Sequence, residues 1–166
     1  MRTIERLALV AVIALAIPVA SAAQGFAVRG GANVNPDQVY VGGQYDVGPF
    51  AENIWFQPSA DLGFGNGAKL AAFDLDVAWH HALDRRQTWT AYAGGGPALN
   101  WYHFPTYNSS GWGFNVLGGV LHHSGMFVEL RAGMGDSPDL RFGAGYMLRP
   151  PRPAQHPVKR RPGRRR

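Results

Sequence analysis

Between residues 25 and 148 apolar and polar positions alternate with a period of two. The alternation runs through eight segments of about ten residues each: 25–33, 38–47, 54–64, 68–80, 88–101, 112–121, 126–134 and 139–148. β-branched, aromatic and Gly residues fill these segments, and turn chemistry separates them: Asn35-Pro36-Asp37, Gly48-Pro49, Gly65-Asn66-Gly67, residues 84–87 and 105–111, Ser124-Gly125, and Gly135-Asp136-Ser137-Pro138. Helical periodicity is missing. Short connections join neighbouring strands antiparallel, so the pattern predicts an all-β, eight-stranded up-and-down meander. Pro58 and Pro97 fall inside strands, where each removes a ladder donor, and bulges or distorted pairing are expected there.

The two faces of these strands differ in kind. One reads Phe26, Val28, Val41, Phe56, Leu75, Val77, Trp79, Trp89, Trp112, Phe114, Val116, Val128, Leu130, Phe142, Tyr146 and Leu148. The other reads Arg29, Asn33, Gln44, Asp46, Gln57, Ser59, Asp61, Asp74, Asp76, Asn100, Asn115, Glu129, Arg131, Asp139 and Arg141, with many Gly between them. Turned inward, the first set would overfill the lumen of a small soluble barrel. Turned outward into lipid it needs no such packing, and closure leaves no unpaired strand edge in hydrocarbon. Strands of this length also match a tilted membrane crossing. A soluble calyx with the faces inverted is the main alternative fold.

The flanks change the picture of charge. Residues 1–23 have a basic start (Arg2, Arg6), an unbroken apolar run from Leu7 to Ile17, then Pro18 and the small residues Ala20-Ser21-Ala22-Ala23. That is the three-part pattern of a cleaved secretory signal peptide. Residues 149–166 hold eight bases, five Pro and no acid, a composition that predicts a disordered basic tail. Residues 24–148 form the barrel domain, and they carry six basic side chains against ten acidic ones. The net charge of +5 therefore belongs to the tail, and a nucleic-acid-binding role is not supported. With no Cys there is no disulfide framework, thiolate metal site or cysteine nucleophile.

The last strand, Arg141-Phe142-Gly143-Ala144-Gly145-Tyr146-Met147-Leu148, resembles the barrel-assembly signal of bacterial outer-membrane barrels, with Gly143 and Tyr146 in place and Leu148 where the final aromatic would stand. Residues 24–148 are similar to the small eight-stranded barrels of Gram-negative bacteria, the OmpA/OmpX kind, within the broad outer-membrane β-barrel family. The resemblance implies a transmembrane barrel in the bacterial outer membrane, with outer-membrane lipids and the barrel-assembly machinery as partners. It also implies periplasmic chain ends, short periplasmic turns and longer outer loops. The longest connection, 102–111, then lies outside, and 82–87 and 122–125 lie in the periplasm. Trp101, Tyr102, Phe104, Trp112 and Phe114 belong to an outer aromatic girdle, and Trp79 and Trp89 to an inner one.

Under this register Arg29, Arg131 and Arg141 face Asp61, Asp74 and Asp76 across the lumen, with Glu129 beside Arg131. Buried charges persist when paired, so a lumen-filling ion-pair network is expected. The expected role is structural or surface-interacting and not enzymatic, with no cofactor and no metal. A small pore or ligand-binding barrel is the alternative for the same residues. His122, Ser124 and Glu129 contain the ingredients of nucleophilic catalysis, loosely similar to the His-x-Ser arrangement of outer-membrane lipid A deacylases. Turn chemistry is the simpler reading of Ser124-Gly125. The adjacent pairs His80-His81 and His122-His123 point to opposite faces of a strand and make no two-ligand metal site. The basic tail could hold an anionic cell-wall polymer.

Overall fold

A computed structural model describes residues 25–65 and 67–148. Residues 1–24 and 149–166, which hold the expected signal peptide and basic tail, and Asn66 lie outside the described residues. The rest is one sheet of eight antiparallel strands: β1 (Gly25–Val34), β2 (Gln38–Ala51), β3 (Ile54–Gly65), β4 (Ala68–Ala82), β5 (Trp89–His103), β6 (Asn108–His122), β7 (Met126–Gly135) and β8 (Leu140–Met147). Each strand pairs with the next, and β8 returns to β1 through a register running from Ala27↔Met147 to Val34↔Leu140. The barrel is closed and has no free edge. An even number of strands brings both ends of the described chain to one rim, where the Leu148 N–H donates to the Phe26 carbonyl.

The alternation seen in the sequence becomes the two surfaces of the wall. The large outward side chains, from Val77 at 42% to Trp112 at 68%, are exposed, while Arg29, Asp46, Asp61, Asp74, Asp76 and Arg131 are at most 3% exposed inside. This inverts the arrangement of a water-soluble barrel.

Two elements run longer than the sequence suggests. Strand β2 continues through Gly48-Pro49 to Ala51, with its register against β3 shifting between Val47 and Ala51. Strand β6 begins at Asn108 and not Trp112, because Asn108, Ser109 and Ser110 pair with His103, Tyr102 and Trp101. Those polar residues look like a loop, yet their ladder partners and the stacked Phe104 and Tyr107 rings hold a tight hairpin. The connection expected over 102–111 shrinks to 104–107, and the longest connection is 83–88, at the rim with the chain ends. Loop length therefore does not orient this barrel.

Pro58 and Pro97 stay in register and produce no bulge, whereas the register shift of β2 falls around Pro49. Pro58 pairs with Leu75, and Pro97 pairs with Phe114. On the opposite side of each, the paired positions lapse and resume in the same register: between Gln44↔Ser59 and Val47↔Phe56 for Pro58, and between Asp74↔Ala98 and Val77↔Gly95 for Pro97. A missing donor interrupts one ladder without adding a residue.

Candidate functional site: the charged layer inside the barrel

Alternation fixes which side chains enter the lumen, and register fixes which of them meet. Arg29 on β1 sits opposite Gly42 on β2, and Gly42 sits opposite Asp61 on β3. The bare glycine lets the guanidinium lie along the wall and grip Asp61 with two parallel bonds, Nε to Oδ1 at 3.0 Å and Nη2 to Oδ2 at 2.7 Å. A Cβ at Gly42 would collide with the Asp61 carboxylate. Arg29 also donates to Ser59 Oγ at 2.8 Å and to Gln44 and Glu129 at 3.1 Å each.

The other two arginines reach across the lumen. Arg131 on β7 donates to Asp76 Oδ2 at 2.6 Å and Asp74 Oδ2 at 3.1 Å on β4, and its Nε binds Glu129 on its own strand. Arg141 on β8 binds Asp61 and reaches Asp74 at 3.3 Å, with Asn33 accepting from its Nε at 3.1 Å. Its guanidinium also lies over the Tyr40 ring, 5.1 Å from the centroid. The structure thus brings together Arg29, Asp61, Asp74, Asp76, Glu129, Arg131 and Arg141. Bidentate geometry and multiple acceptors are what a buried guanidinium needs to offset its lost hydration.

Asp139, expected inside, is exposed in the β7–β8 connection, where it accepts from Asn35 at 2.7 Å. Asp46 is inside but meets no arginine; it accepts from the amides of Gln44 at 2.8 Å and Gln57 at 3.1 Å. Among the described residues, five buried carboxylates (Asp46, Asp61, Asp74, Asp76, Glu129) share the lumen with three guanidinium groups. Asp46 Oδ2, Gln57 Oε1, Asp76 Oδ1 and Arg131 Nη2 have no hydrogen-bond partner. The imbalance therefore collects on the β2–β4 side, at Asp46 and Asp76.

Toward the rim with the chain ends the lumen turns apolar. Ala27, Ala78, Tyr92, Leu117, Leu121, Phe127 and Met147 form a buried cluster, and His80 stacks between Trp55 and Tyr92 at 5.5 and 5.3 Å. Tyr92 links this plug to the charged layer through its hydroxyl, which donates to Glu129 at 3.2 Å. Tyr40, Tyr92 and Phe127 each lie over a glycine of another strand, Gly143, Gly119 and Gly145, where a Cβ would strike the ring. Gly143, in the segment that resembles an assembly signal, thus makes room for Tyr40, while Tyr146 and Leu148 point outward at 45% and 61% exposure.

The catalytic alternative does not assemble. His122 Nδ1 and Ser124 Oγ are 2.8 Å apart in the β6–β7 turn, but Glu129 lies inside the wall, held by Arg29, Arg131 and Tyr92. His122 stands on the outer face, tilted against Trp89 at 4.6 Å. Likewise His80 points inward and His81 outward, stacked on Trp79. Among the described residues no three His, Asp or Glu side chains converge as metal ligands. Trp101, Trp112 and Phe114 lie on the outer face as expected of a girdle, whereas Tyr102 turns in and donates to the Asp136 carbonyl at 2.7 Å.

No family model matches the chain. No curated protein matches it in sequence. Among solved structures it is similar to the crystal structure of neisserial surface protein A, at 13% identity and a TM-score of 0.53, over 76% of this chain and 94% of that one. At that identity the likeness concerns the fold, a closed eight-stranded antiparallel barrel.

Proposed function

We propose that this chain is a bacterial outer-membrane barrel with a structural or surface-interaction role, its lumen filled by the ion-pair network. The carrying observation is the inverted distribution of polarity, a continuous apolar exterior around a sealed charged layer. An apolar surface on every side of a closed sheet far exceeds the few hundred Å² that soluble monomers expose, and it suits hydrocarbon. Orientation rests on charge. The Arg85-Arg86 pair lies at the rim that holds Gly25 and Leu148, residues 149–166 follow Leu148 in the sequence with eight bases, and such charges resist transfer across a bilayer. The rim with Gly25 and Leu148 therefore faces the periplasm, and 35–37, 104–107 and 136–139 face outward. A lumen plugged at two levels has no catalytic or transport role in this reading.

Outer-membrane fractionation combined with gel mobility before and after boiling tests the proposal. The protein is expected to sediment with the outer membrane and to shift on boiling, as closed detergent-resistant barrels do. A soluble periplasmic protein without a shift would overturn it. The plug is tested separately: planar bilayers containing the folded protein are expected to show no conductance steps beyond those of a closed control. Sustained steps would favour the pore reading.

A further inference from the structure

On the outer wall, at the rim away from the chain ends, strands β3 to β6 enclose a groove of about 700 Å³. Two rows of paired residues build it. The rim row runs Phe64, Lys69, His103, Asn108, and the row beneath it runs Leu62, Ala71, Trp101, Ser110. The small Ala71 between Leu62 and Trp101 gives the groove its depth. Phe73, packed edge-on against Trp101 at 5.6 Å, forms its lower end. Ala71, Phe73 and Trp101 are half-buried, unlike most of the exterior.

The polar rim row is specific to this place. Lys69 is the only Lys or Arg at this rim among the described residues; Arg29, Arg131 and Arg141 are inside, and Arg85 and Arg86 lie at the other end. The neighbouring turns carry the exposed acids Asp37, Asp136 and Asp139. Asn108 Oδ1 lies 2.5 Å from His103 Nδ1, so the ring donates to it and the Asn108 amide presents its NH2 as a further donor. A cation and an amide donor stand directly above an apolar trough. That is the complement of a lipid with an anionic phosphate at the membrane surface and an acyl chain below it.

We propose that this groove seats a phosphorylated glycolipid of the outer leaflet, its phosphate on Lys69 and Asn108 and one acyl chain along Ala71 between Leu62 and Trp101. The proposal rests on the membrane reading and orientation given above. Its chemistry is recognition only; no bond is made or broken.

The test uses the full-length protein folded into phosphatidylcholine nanodiscs doped with diphosphorylated lipid A, with lipid retention read by native mass spectrometry. Wild type is expected to retain lipid A about fivefold more than Lys69→Gln, the effect of one base near an anionic membrane surface. Ala71→Phe, which fills the trough but leaves the charge, is expected to lose retention as well. A dephosphorylated glycolipid is expected to be held no better by wild type than by Lys69→Gln. Equal retention by all three proteins, or equal retention of phosphatidylglycerol, would overturn the glycolipid seat. Gel mobility before boiling separates the two readings. Folded protein without preference rejects the groove alone, whereas protein that does not enter the nanodisc rejects the membrane barrel.

Discussion

Arg29→Met is expected to destabilise the folded barrel by about 3–5 kcal/mol, the usual cost of removing one partner from a buried ion pair. Arg29 is 3% exposed and binds Asp61 with two bonds, with Gln44, Ser59 and Glu129 as further acceptors. Its loss leaves five buried carboxylates with two guanidinium groups, in a layer already short of positive charge. Arg29→Lys keeps the charge but not the planar fork, and a smaller loss is expected. The double variant Arg29→Met with Asp61→Leu removes charge of both signs and should recover much of the deficit. Urea titration of the protein in lipid vesicles, followed by tryptophan fluorescence and gel mobility, measures all three. If Arg29→Met unfolds at the same urea concentration as wild type, the network is incidental to stability.

Val116→Arg tests the opposite surface. Val116 is 49% exposed in the middle of β6, paired with Gly95 and Ala132. An arginine on the lipid face near the bilayer midplane is expected to cost about 2–4 kcal/mol, falling to about 0–1 kcal/mol near the interface. Val39→Arg, at the rim end of β2, is the matched control. Equal effects of the two substitutions in bilayers would mean that the exterior does not span lipid, and the fold would have to be explained as a soluble barrel.

The walls were legible because their alternation is strict where polar and apolar residues take turns. Asp74-Leu75-Asp76-Val77 assigns its own faces, and so does Val128-Glu129-Leu130-Arg131. The inward aromatics, in the plug and beside Arg141, were not legible, for a local reason. Tyr40 lies between Val39 and Val41, Trp55 between Ile54 and Phe56, and Phe127 between Met126 and Val128. In such triplets an inward aromatic has apolar outward neighbours, so the period of two leaves no trace. The glycines that accommodate these rings were visible in the sequence, but their partners are set by register across strands, which a single chain does not display. The extent of the β5–β6 hairpin is hidden in the sequence because Asn108-Ser109-Ser110 has the composition of a loop, and only its ladder partners make it strand.

The arginines of the charged layer stand on β1, β7 and β8, the strands that meet where the sheet closes, and most of the carboxylates stand on β2, β3 and β4. In an open sheet Arg131 and Arg141 are several strands away from Asp61, Asp74 and Asp76. They meet only when β8 docks on β1. A slip of one residue at that seam would turn Arg141 toward lipid, and a slip of two would carry it away from Asp61 and Asn33. The first error strands a guanidinium in lipid, and the second leaves it inside the lumen without its partners. The interior thus favours the one closure register that gives its arginines their partners.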